Sequence, residues 1–236
     1  MAILKNIPKL RSKPMRDIIY EHLRKAVILG DLKPDSTFTD AEIAAEYGVS
    51  RTPVREAVQK LEADGYIERV PMRGNRVSSV SPYELANTFA IRKALETLAV
   101  RYSALRISDA ALDEIDALLS RADKVFAEFS GDEMLERFFP IVKEYNRIVF
   151  EGCGSKRLTD LVFAQREVFD RYMVMRTILP NRPEKSLSRR KALYLALRGR
   201  DPERAAAVWT EHLNESFVIW REKSGNAGEL ADFPFF

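Results

Sequence analysis

Two arginines stand four residues apart in segment 48–57, whose sequence is GVSRTPVREA. Arg51 and Arg55 share one face of any helix that begins after Ser50, because residues four apart are neighbours on an α-helix. An arginine at the start of such a helix can donate two parallel hydrogen bonds to O6 and N7 of guanine. Thr52 and the backbone N–H groups of the first helical turn suit a phosphate. The segment therefore indicates sequence-specific DNA binding.

The same arginines also fit an ordinary exposed surface, on which they would be solvated and paired with Glu56 or Glu62. The distribution of charge favours DNA binding. The chain has 236 residues and a formal net charge of +3, and residues 1–80 hold 14 Lys and Arg against 11 Asp and Glu, whereas the rest hold 24 of each. Residues 1–13 contain no acid and are predicted to form a flexible basic arm along a phosphate backbone, the alternative being a solubilising arm.

The elements around the arginines form a helix-turn-helix pattern. Apolar residues spaced three and four apart predict a first helix over Pro14–Leu29, which Gly30 ends. Thr39 and Glu42 form a capping box, in which each side chain bonds the backbone N–H of the other residue. A short second helix therefore begins there and runs to about Tyr47.

A tight turn and a third helix follow. Gly48 supplies the left-handed turn, Ser50 caps the third helix, and Asp64 with Gly65 ends it. Its buried face is expected to consist of Val54, Ala57, Val58 and Leu61. A helix in this position is the one that a helix-turn-helix protein lays in the major groove.

A hairpin and a new helix mark the end of the first domain. β-forming residues over 66–80 flank the turn signal RGN at 73–75, which predicts a hairpin wing. Ser81 and Glu84 form a second capping box with proline at the first helical position, so a new helix begins directly after the wing. The domain boundary is predicted there.

The rest of the chain is predicted to be helical. Five breaks interrupt the helical pattern, at 106–108, 130–132, 152–155, 179–183 and 199–202. They imply an antiparallel all-α bundle of about six helices around an interior cavity. The fold class is therefore mainly α. The predicted regions are a flexible arm (1–13), a winged helix-turn-helix (14–80), a ligand-sensing and dimerisation domain (81–225) and a C-terminal tail (226–236).

Segment 48–57 closely resembles the signature of the GntR family of bacterial transcription regulators. The resemblance extends back through LRxxVIxGxLxP at 23–34 and forward through LExDGYI at 61–67, so it covers nearly the whole first domain. In that family, some members have an arginine in the second helix where this chain has Ala41, which puts one base or phosphate contact in doubt.

The resemblance implies roles for four residues. The arginines that match Arg51 and Arg55 read bases, the threonine that matches Thr52 holds a phosphate, and the wing glycine that matches Gly74 approaches the minor groove. Ser50, which begins the recognition helix, is assigned to DNA binding with them.

The helical remainder resembles the FCD domain of the FadR subfamily, and six helices rather than seven suggest its VanR-like branch. The matching pieces are RxxLE at 92–96, EGCGS at 151–155 and ALxGxDPE at 196–203. The resemblance implies that this domain senses a small molecule.

Many FCD domains bind a divalent metal through one aspartate and three histidines. Matching segment to segment places Val142 at the aspartate and Asn146, Arg190 and His212 at the histidines. A metal needs at least three converging ligands, and among these four positions only His212 still has a side chain of the expected type. We therefore expect no metal and no cofactor.

Arg190 would put a guanidinium where the metal cation would lie, and Arg92 is expected to point into the same cavity. An organic carboxylate or phosphate binds such a group directly, with Asn146 and His212 as hydrogen-bonding partners. The sequence thus predicts a metal-free site for a small acidic metabolite. The alternatives are that residues 189–191 form a solvated helix face and that His212 is a core histidine bonded to a carbonyl.

Several other classes are disfavoured. No apolar run is long enough to cross a bilayer and the first residues lack a signal-peptide core, so a cytoplasmic protein without membrane contact is expected. A di-iron enzyme would need Glu-x-x-His pairs, which are missing from the sequence, and no serine or cysteine nucleophile with a nearby base is legible. We expect no enzyme.

The sequence as a whole predicts a homodimeric transcription regulator, a repressor by family resemblance. A twofold protein reads a palindromic double-stranded operator. A small organic acid in the bundle would control operator affinity through the spacing of the two recognition helices. The alternative is a constitutive DNA-binding regulator with an empty or degenerate pocket.

Overall fold

The computed structural model describes residues 13–79, 81–171 and 179–223, together with residues 228, 230 and 233. The chain divides into two compact units, Met1–Ser79 and Val80–Phe236. The described residues are mainly helical with one small sheet, so the predicted fold class is confirmed. The predicted basic arm lies outside the described residues except for Lys13.

The first unit is a three-helix core with a three-stranded sheet. Its elements are α1 (Met15–Leu29), α2 (Asp40–Tyr47), α3 (Arg51–Ala63), β1 (Thr37–Phe38), β2 (Ile67–Val70) and β3 (Gly74–Val77). The apolar faces of α1 and α3 pack together, with Ile19, Val54 and Val58 completely buried between the elements. This packing holds the opposite, polar face of α3 at the surface.

The sheet has the antiparallel order β1-β3-β2. The predicted hairpin is present as β2 and β3, but its turn occupies 71–73 rather than 73–75, because Gly74 and Asn75 already pair within β3. Strand β1 was not predicted. Its two residues pair with Arg76 and Asn75, almost forty positions away, and this pairing is invisible to local pattern.

Both predicted capping boxes are present. The Thr39 N–H donates to Glu42 Oε2 at 2.7 Å and the Glu42 N–H donates to Thr39 Oγ1 at 3.2 Å. Gly48 has the expected left-handed backbone, with φ of 62°. The prediction for Ser50 was wrong in one respect: Ser50 occupies the N-cap position of α3, but its hydroxyl makes no capping hydrogen bond.

The second unit is a helical bundle. Its described elements are α4 (Pro82–Arg106), α5 (Asp109–Glu128), α6 (Gly131–Glu151), α7 (Lys156–Arg171), a 3₁₀-helix (Leu179–Asn181), α8 (Pro183–Arg198) and α9 (Pro202–Lys223). Around the predicted breaks at 106–108, 130–132, 152–155 and 199–202, the described α-helices begin and end close to the predicted positions. The break at 179–183 precedes α8, whereas α7 is described only to Arg171. Helix α4 packs against α6, α7, α8 and α9. No helix among the described residues has both the length and the hydropathy that a membrane span requires.

A separate aromatic cluster lies where α4, α7 and α9 meet. Phe89 packs edge to face against Phe169 at 4.3 Å between ring centroids and against Phe217 at 5.3 Å. Leu230 and Phe233 are buried in the same cluster. Both belong to the segment predicted as a tail, so its described residues include part of the core.

Candidate functional site

The exposed face of α3 carries the residues predicted to bind DNA. Ser50, Arg51, Thr52 and Arg55 are all exposed, and the opposite face buries Val54, Ala57, Val58 and Leu61 as expected. The side chains point outward because the apolar positions of α3 fix its rotation against α1. The first turn of α3 thus presents two guanidinium groups, a hydroxyl and a helix N-terminus on one surface.

The proposed surface pairing of these arginines with two glutamates is wrong. Glu56 lies 3.1 Å from Arg16, and Glu62 lies 3.9 Å from Arg69. Arg55 has a different neighbour, and its side chain remains 66% exposed. Both glutamates are therefore engaged elsewhere, which leaves the arginines facing solvent.

Asp40, the first residue of α2, bridges the wing and the recognition helix. One carboxylate oxygen accepts a hydrogen bond from the Asn75 side-chain amide at 2.9 Å, and the other lies 3.9 Å from Arg55 Nε. Asn75 is only 2% exposed. A buried amide needs an acceptor, so Asp40 stabilises the wing strand while its charge attracts Arg55.

Gly74 is required by the wing itself. Its φ of +87° is a left-handed conformation, and a Cβ atom at this position would approach Phe38 O to 2.7 Å. Both facts demand glycine for packing β3 against β1. This structural reason stands beside the minor-groove role that the family resemblance implies.

The second unit contains a cavity lined mostly by arginines, here called the arginine cavity. It is lined by Arg92, Arg166, Leu179, Arg182, Ser186, Arg190, His212 and Ser216. The lining residues come from α4, α7, α8, α9 and the 3₁₀-helix, except for Arg182, which lies between the 3₁₀-helix and α8. Its volume is about 20 Å³, enough for one water molecule.

Glu96 anchors two of the four lining arginines. Its carboxylate, which is completely buried, accepts hydrogen bonds from Arg92 Nε at 2.6 Å and Arg166 Nη1 at 3.1 Å. Trp209 Nε1 donates a third bond at 2.9 Å. Burial alone would raise the pKa of Glu96, but the two guanidinium groups hold it below its usual value. Glu96 is therefore ionised.

Arg190 is buried without an acidic partner. It is 2% exposed, and its Nη1 donates only to Ser186, at 2.9 Å to the carbonyl oxygen and 2.5 Å to the hydroxyl. Its Nε has no partner, and no carboxylate among the described residues lies within ion-pairing distance. Burial lowers the pKa of Arg190 to about 9. The solvated-face alternative is therefore wrong for Arg190.

Arg182 precedes α8 and reaches across to α9. Its Nη1 donates to Glu215 at 2.9 Å, and its Nη2 donates to the His212 carbonyl oxygen at 3.1 Å and to the Ser216 hydroxyl. Its Nε has no partner. Burial lowers the pKa of this guanidinium too. Arg182 is thus held at the cavity wall by groups on a neighbouring helix.

His212 is the neutral member of the arginine cavity. Burial, followed by the positive charges of Arg190 and Arg182, lowers its pKa well below 6.5. The uncharged ring packs against Trp209, with 4.9 Å between ring centroids. His212 can therefore offer a hydrogen bond to a ligand without adding charge.

Comparison with known proteins gives the same division of the chain. A family model described as the FCD domain matches residues 87–215, more than half of the chain, and one described as bacterial regulatory proteins of the gntR family matches residues 16–77. The chain belongs to the GntR family. It is a GntR-type transcription regulator with an FCD domain.

Two curated relatives of this GntR regulator come from Escherichia coli strain K12. The chain is 26% identical to the HTH-type transcriptional repressor RspR, over 86% of this chain and 88% of the relative. It is 27% identical to the HTH-type transcriptional repressor GlaR, over 88% of this chain and 96% of the relative. These relatives are regulators rather than enzymes.

Solved structures show the same fold. E. coli McbR/YncC superimposes with a TM-score of 0.70 at 19% identity, covering 90% of this chain and 100% of that one. A putative GntR transcriptional regulator from Rhodococcus sp. RHA1 gives a TM-score of 0.67 at 20% identity, covering 88% and 97%.

The FCD domain brings together three of the four predicted effector residues. Arg92, Arg190 and His212 line the arginine cavity, but Asn146 does not. Asn146 is nevertheless buried, and neither atom of its side-chain amide has a hydrogen-bond partner. The role of Asn146 in effector binding therefore stays a prediction.

Sequence reasoning missed Arg166 and Arg182. Arg166 follows Leu158 and Val162 at intervals of four, so it occupies a position where the α7 pattern calls for an apolar residue. This signal was available in the sequence. Arg182 gives no such signal, because it lies in the break before α8 and only the fold brings it to α9.

The described residues contain no group of three or more histidine, cysteine, aspartate or glutamate side chains that could hold a metal ion. The positions that match the family's ligands are instead valine, asparagine and arginine, with His212 as the exception. Two buried guanidinium groups near His212 would repel a divalent cation. The residues in this FCD domain therefore do not fit the metal that many FCD domains bind.

We expect Asp40→Ala to lower the free energy of unfolding of the first unit by about 1–3 kcal/mol, because the buried Asn75 amide loses its charged acceptor and keeps only the Phe38 carbonyl oxygen, at 3.4 Å. Urea unfolding of the full chain, followed in each unit by hydrogen exchange, measures the change. Glu46→Ala removes an exposed carboxylate from the same helix and serves as control, with an expected change within about 0.5 kcal/mol. Equal effects of the two substitutions would contradict the bridging role of Asp40.

Proposed function

We propose that this GntR regulator binds double-stranded operator DNA through the first turn of α3. Arg51 and Arg55 read guanine edges in the major groove, Thr52 and Ser50 contact phosphate, and the wing containing Gly74 lies at the minor groove. Both α3 arginines are exposed, and Arg55 keeps 66% of its side chain exposed despite its ion pair with Asp40, which supports these roles. The protein acts as a repressor in this proposal, since the names of two relatives describe repressors.

The proposal includes a homodimer formed through α4. Ile91, Leu98 and Leu105 are large apolar side chains that are 47%, 40% and 60% exposed, and they recur every seven residues along α4. Heptad spacing aligns apolar side chains on one helix face, where a second copy of the same helix can cover them. A twofold dimer also supplies the two recognition helices that a palindromic operator requires.

The proposed signal is a small acidic metabolite bound in the arginine cavity. One observation carries this proposal: the Arg190 guanidinium is buried without a carboxylate to neutralise it. An uncompensated buried cation is costly, and an anionic ligand would remove that cost. Arg92 and His212 would contact the same ligand. Because Arg92 belongs to α4, ligand binding would act directly on the helix proposed to form the dimer.

A constitutive regulator is the second candidate, and the size of the cavity favours it. A volume of about 20 Å³ holds one water molecule, so a metabolite enters only if lining side chains move apart. A degenerate pocket that no longer binds ligand would have this collapsed form. The two candidates differ in whether a ligand changes operator affinity.

Arg51→Ala and Arg55→Ala should each weaken operator binding by about 1–3 kcal/mol, or about 5- to 150-fold, because each removes a two-bond contact with a base. Binding is measured by fluorescence anisotropy at fixed salt on DNA selected by the wild-type protein from a random library. Arg121→Ala removes an equal charge from exposed α5 and should leave affinity unchanged. An equal loss of operator affinity in all three variants would mean that only the net charge of the protein matters, and would contradict base reading by Arg51 and Arg55.

Leu98→Glu should convert the protein from a dimer to a monomer of 27.0 kDa, because it places a charge in the centre of the proposed α4 interface. Sedimentation velocity measures the mass. Val218→Glu alters a residue on α9 with nearly the same exposure, 38%, and should leave the dimer intact. A dimeric Leu98→Glu protein, or a monomeric wild type, would exclude this interface.

The effector proposal is tested by titrating operator complexes with a panel of acidic metabolites. At least one compound should change operator affinity about 5- to 150-fold in the wild type, the usual range of allosteric coupling. The change should be lost in Arg190→Gln, which keeps hydrogen-bonding capacity but removes the charge. If no compound alters the affinity, the constitutive candidate is correct.

A further inference from the structure

The charges around the arginine cavity do not balance. Four guanidinium groups line it, and the carboxylates bonded to them are Glu96 and Glu215. Glu215 is also shared with two cations outside the cavity, Lys185 at 2.8 Å and Arg189 at 3.0 Å. Among the described residues, Arg190 has no carboxylate partner and Arg182 shares its carboxylate with two other cations, so the positive charge of these two arginines exceeds the negative charge that meets it. A ligand with a single negative charge would leave part of this surplus buried.

Two of the lining arginines each have a donor atom without a partner. The Nε atoms of Arg182 and Arg190 are buried and make no hydrogen bond, although both side chains line the cavity. The hydroxyls of Ser186 and Ser216 also line the cavity, where Ser186 accepts from Arg190 and Ser216 donates to the His212 carbonyl oxygen. These groups come from α8, the residue before it and α9, and the arginines held by Glu96 come from α4 and α7. Polar groups of four helices therefore line the proposed ligand position.

We infer that the arginine cavity binds a phosphate group, either as inorganic phosphate or as the phosphoryl end of a small monoester. This inference rests on the proposed function and specifies its ligand. A phosphate monoester carries a charge of about −1.5 to −2 at pH 7 and three acceptor oxygens on one atom. It meets the surplus charge within a small volume. A carboxylate offers one charge and two oxygens in a plane, and a dicarboxylate spreads its charges over a longer molecule.

The small volume of the cavity fits this ligand if the lining arginines exchange partners. Arg182 now satisfies its Nη atoms with Glu215, the His212 carbonyl oxygen and Ser216. Phosphate oxygens can replace these acceptors, since charge-assisted bonds between guanidinium and phosphate are among the strong hydrogen bonds in proteins. Binding would then loosen the link from Arg182 to α9 while it adds a link among four helices.

The test measures the melting temperature of the full chain with inorganic phosphate, glycerol 3-phosphate, succinate or acetate, each at the same ionic strength. Inorganic phosphate or glycerol 3-phosphate should raise the melting temperature by about 3 °C or more, with saturation, and acetate should not. Whichever of the two phosphate compounds gives the larger shift in melting temperature identifies the ligand as the free ion or the monoester.

Two matched variants identify the site. Arg190→Met should remove the shift, and without phosphate it should melt at the wild-type temperature or above, because it replaces an uncompensated buried charge with an apolar side chain. Arg198→Met makes the same change on the same helix, at an exposed arginine paired with Asp113, and should keep the shift. These outcomes together would support phosphate binding at Arg190.

The opposing outcomes distinguish a wrong ligand class from a wrong proposed function. An equal phosphate shift in wild type and Arg190→Met would be a general salt effect and would overturn the phosphate site. A shift with succinate or acetate that depends on Arg190, without one for either phosphate compound, would overturn phosphate but keep the proposed acid-responsive regulator. No Arg190-dependent shift with any of the four anions would overturn both.

Discussion

Four guanidinium groups around one small cavity, three of them buried, are the constraint on which the helical unit depends. Removing charges from water costs several kcal/mol for each ion unless opposite charge and hydrogen bonds replace the solvent. The Glu96 carboxylate supplies the opposite charge for Arg92 and Arg166. Through these bonds and the one from Trp209, Glu96 on α4 is linked to α7 and α9. Arg190 is the member left without compensation. In the proposed function, stability and ligand recognition therefore depend on the same electrostatic cluster.

Helix α4 connects the separate parts of the proposed mechanism. Its sequence begins five residues after β3 ends, its buried face carries Arg92 and Glu96, and its exposed face carries the apolar heptad. In this proposal, a ligand that shifts Arg92 acts on a helix that also forms the dimer contact. A shift of a few atoms at the cavity would then change the spacing of the two recognition helices. Binding of a twofold operator depends on that spacing.

Features encoded by neighbouring residues could be predicted, and features that depend on distant residues could not. The capping boxes at Thr39 and Ser81 are complete within four residues, so both helix starts were correct. Strand β1 depends on partners across the domain and was missed. In the site, Arg92, Arg190 and His212 followed from family resemblance, whereas Arg182 reaches the cavity only because the fold brings the start of α8 beside α9.

Because Leu230 and Phe233 are buried, the folded core of the helical unit extends beyond the boundary predicted from sequence periodicity. Periodicity ends it with α9, near residue 225, but these two side chains cover Phe217 and Trp220 in the aromatic cluster. A fragment cut at 225 would expose that cluster to water and lose the associated hydrophobic free energy. An isolated helical unit that keeps this cluster covered must therefore extend at least through Phe233.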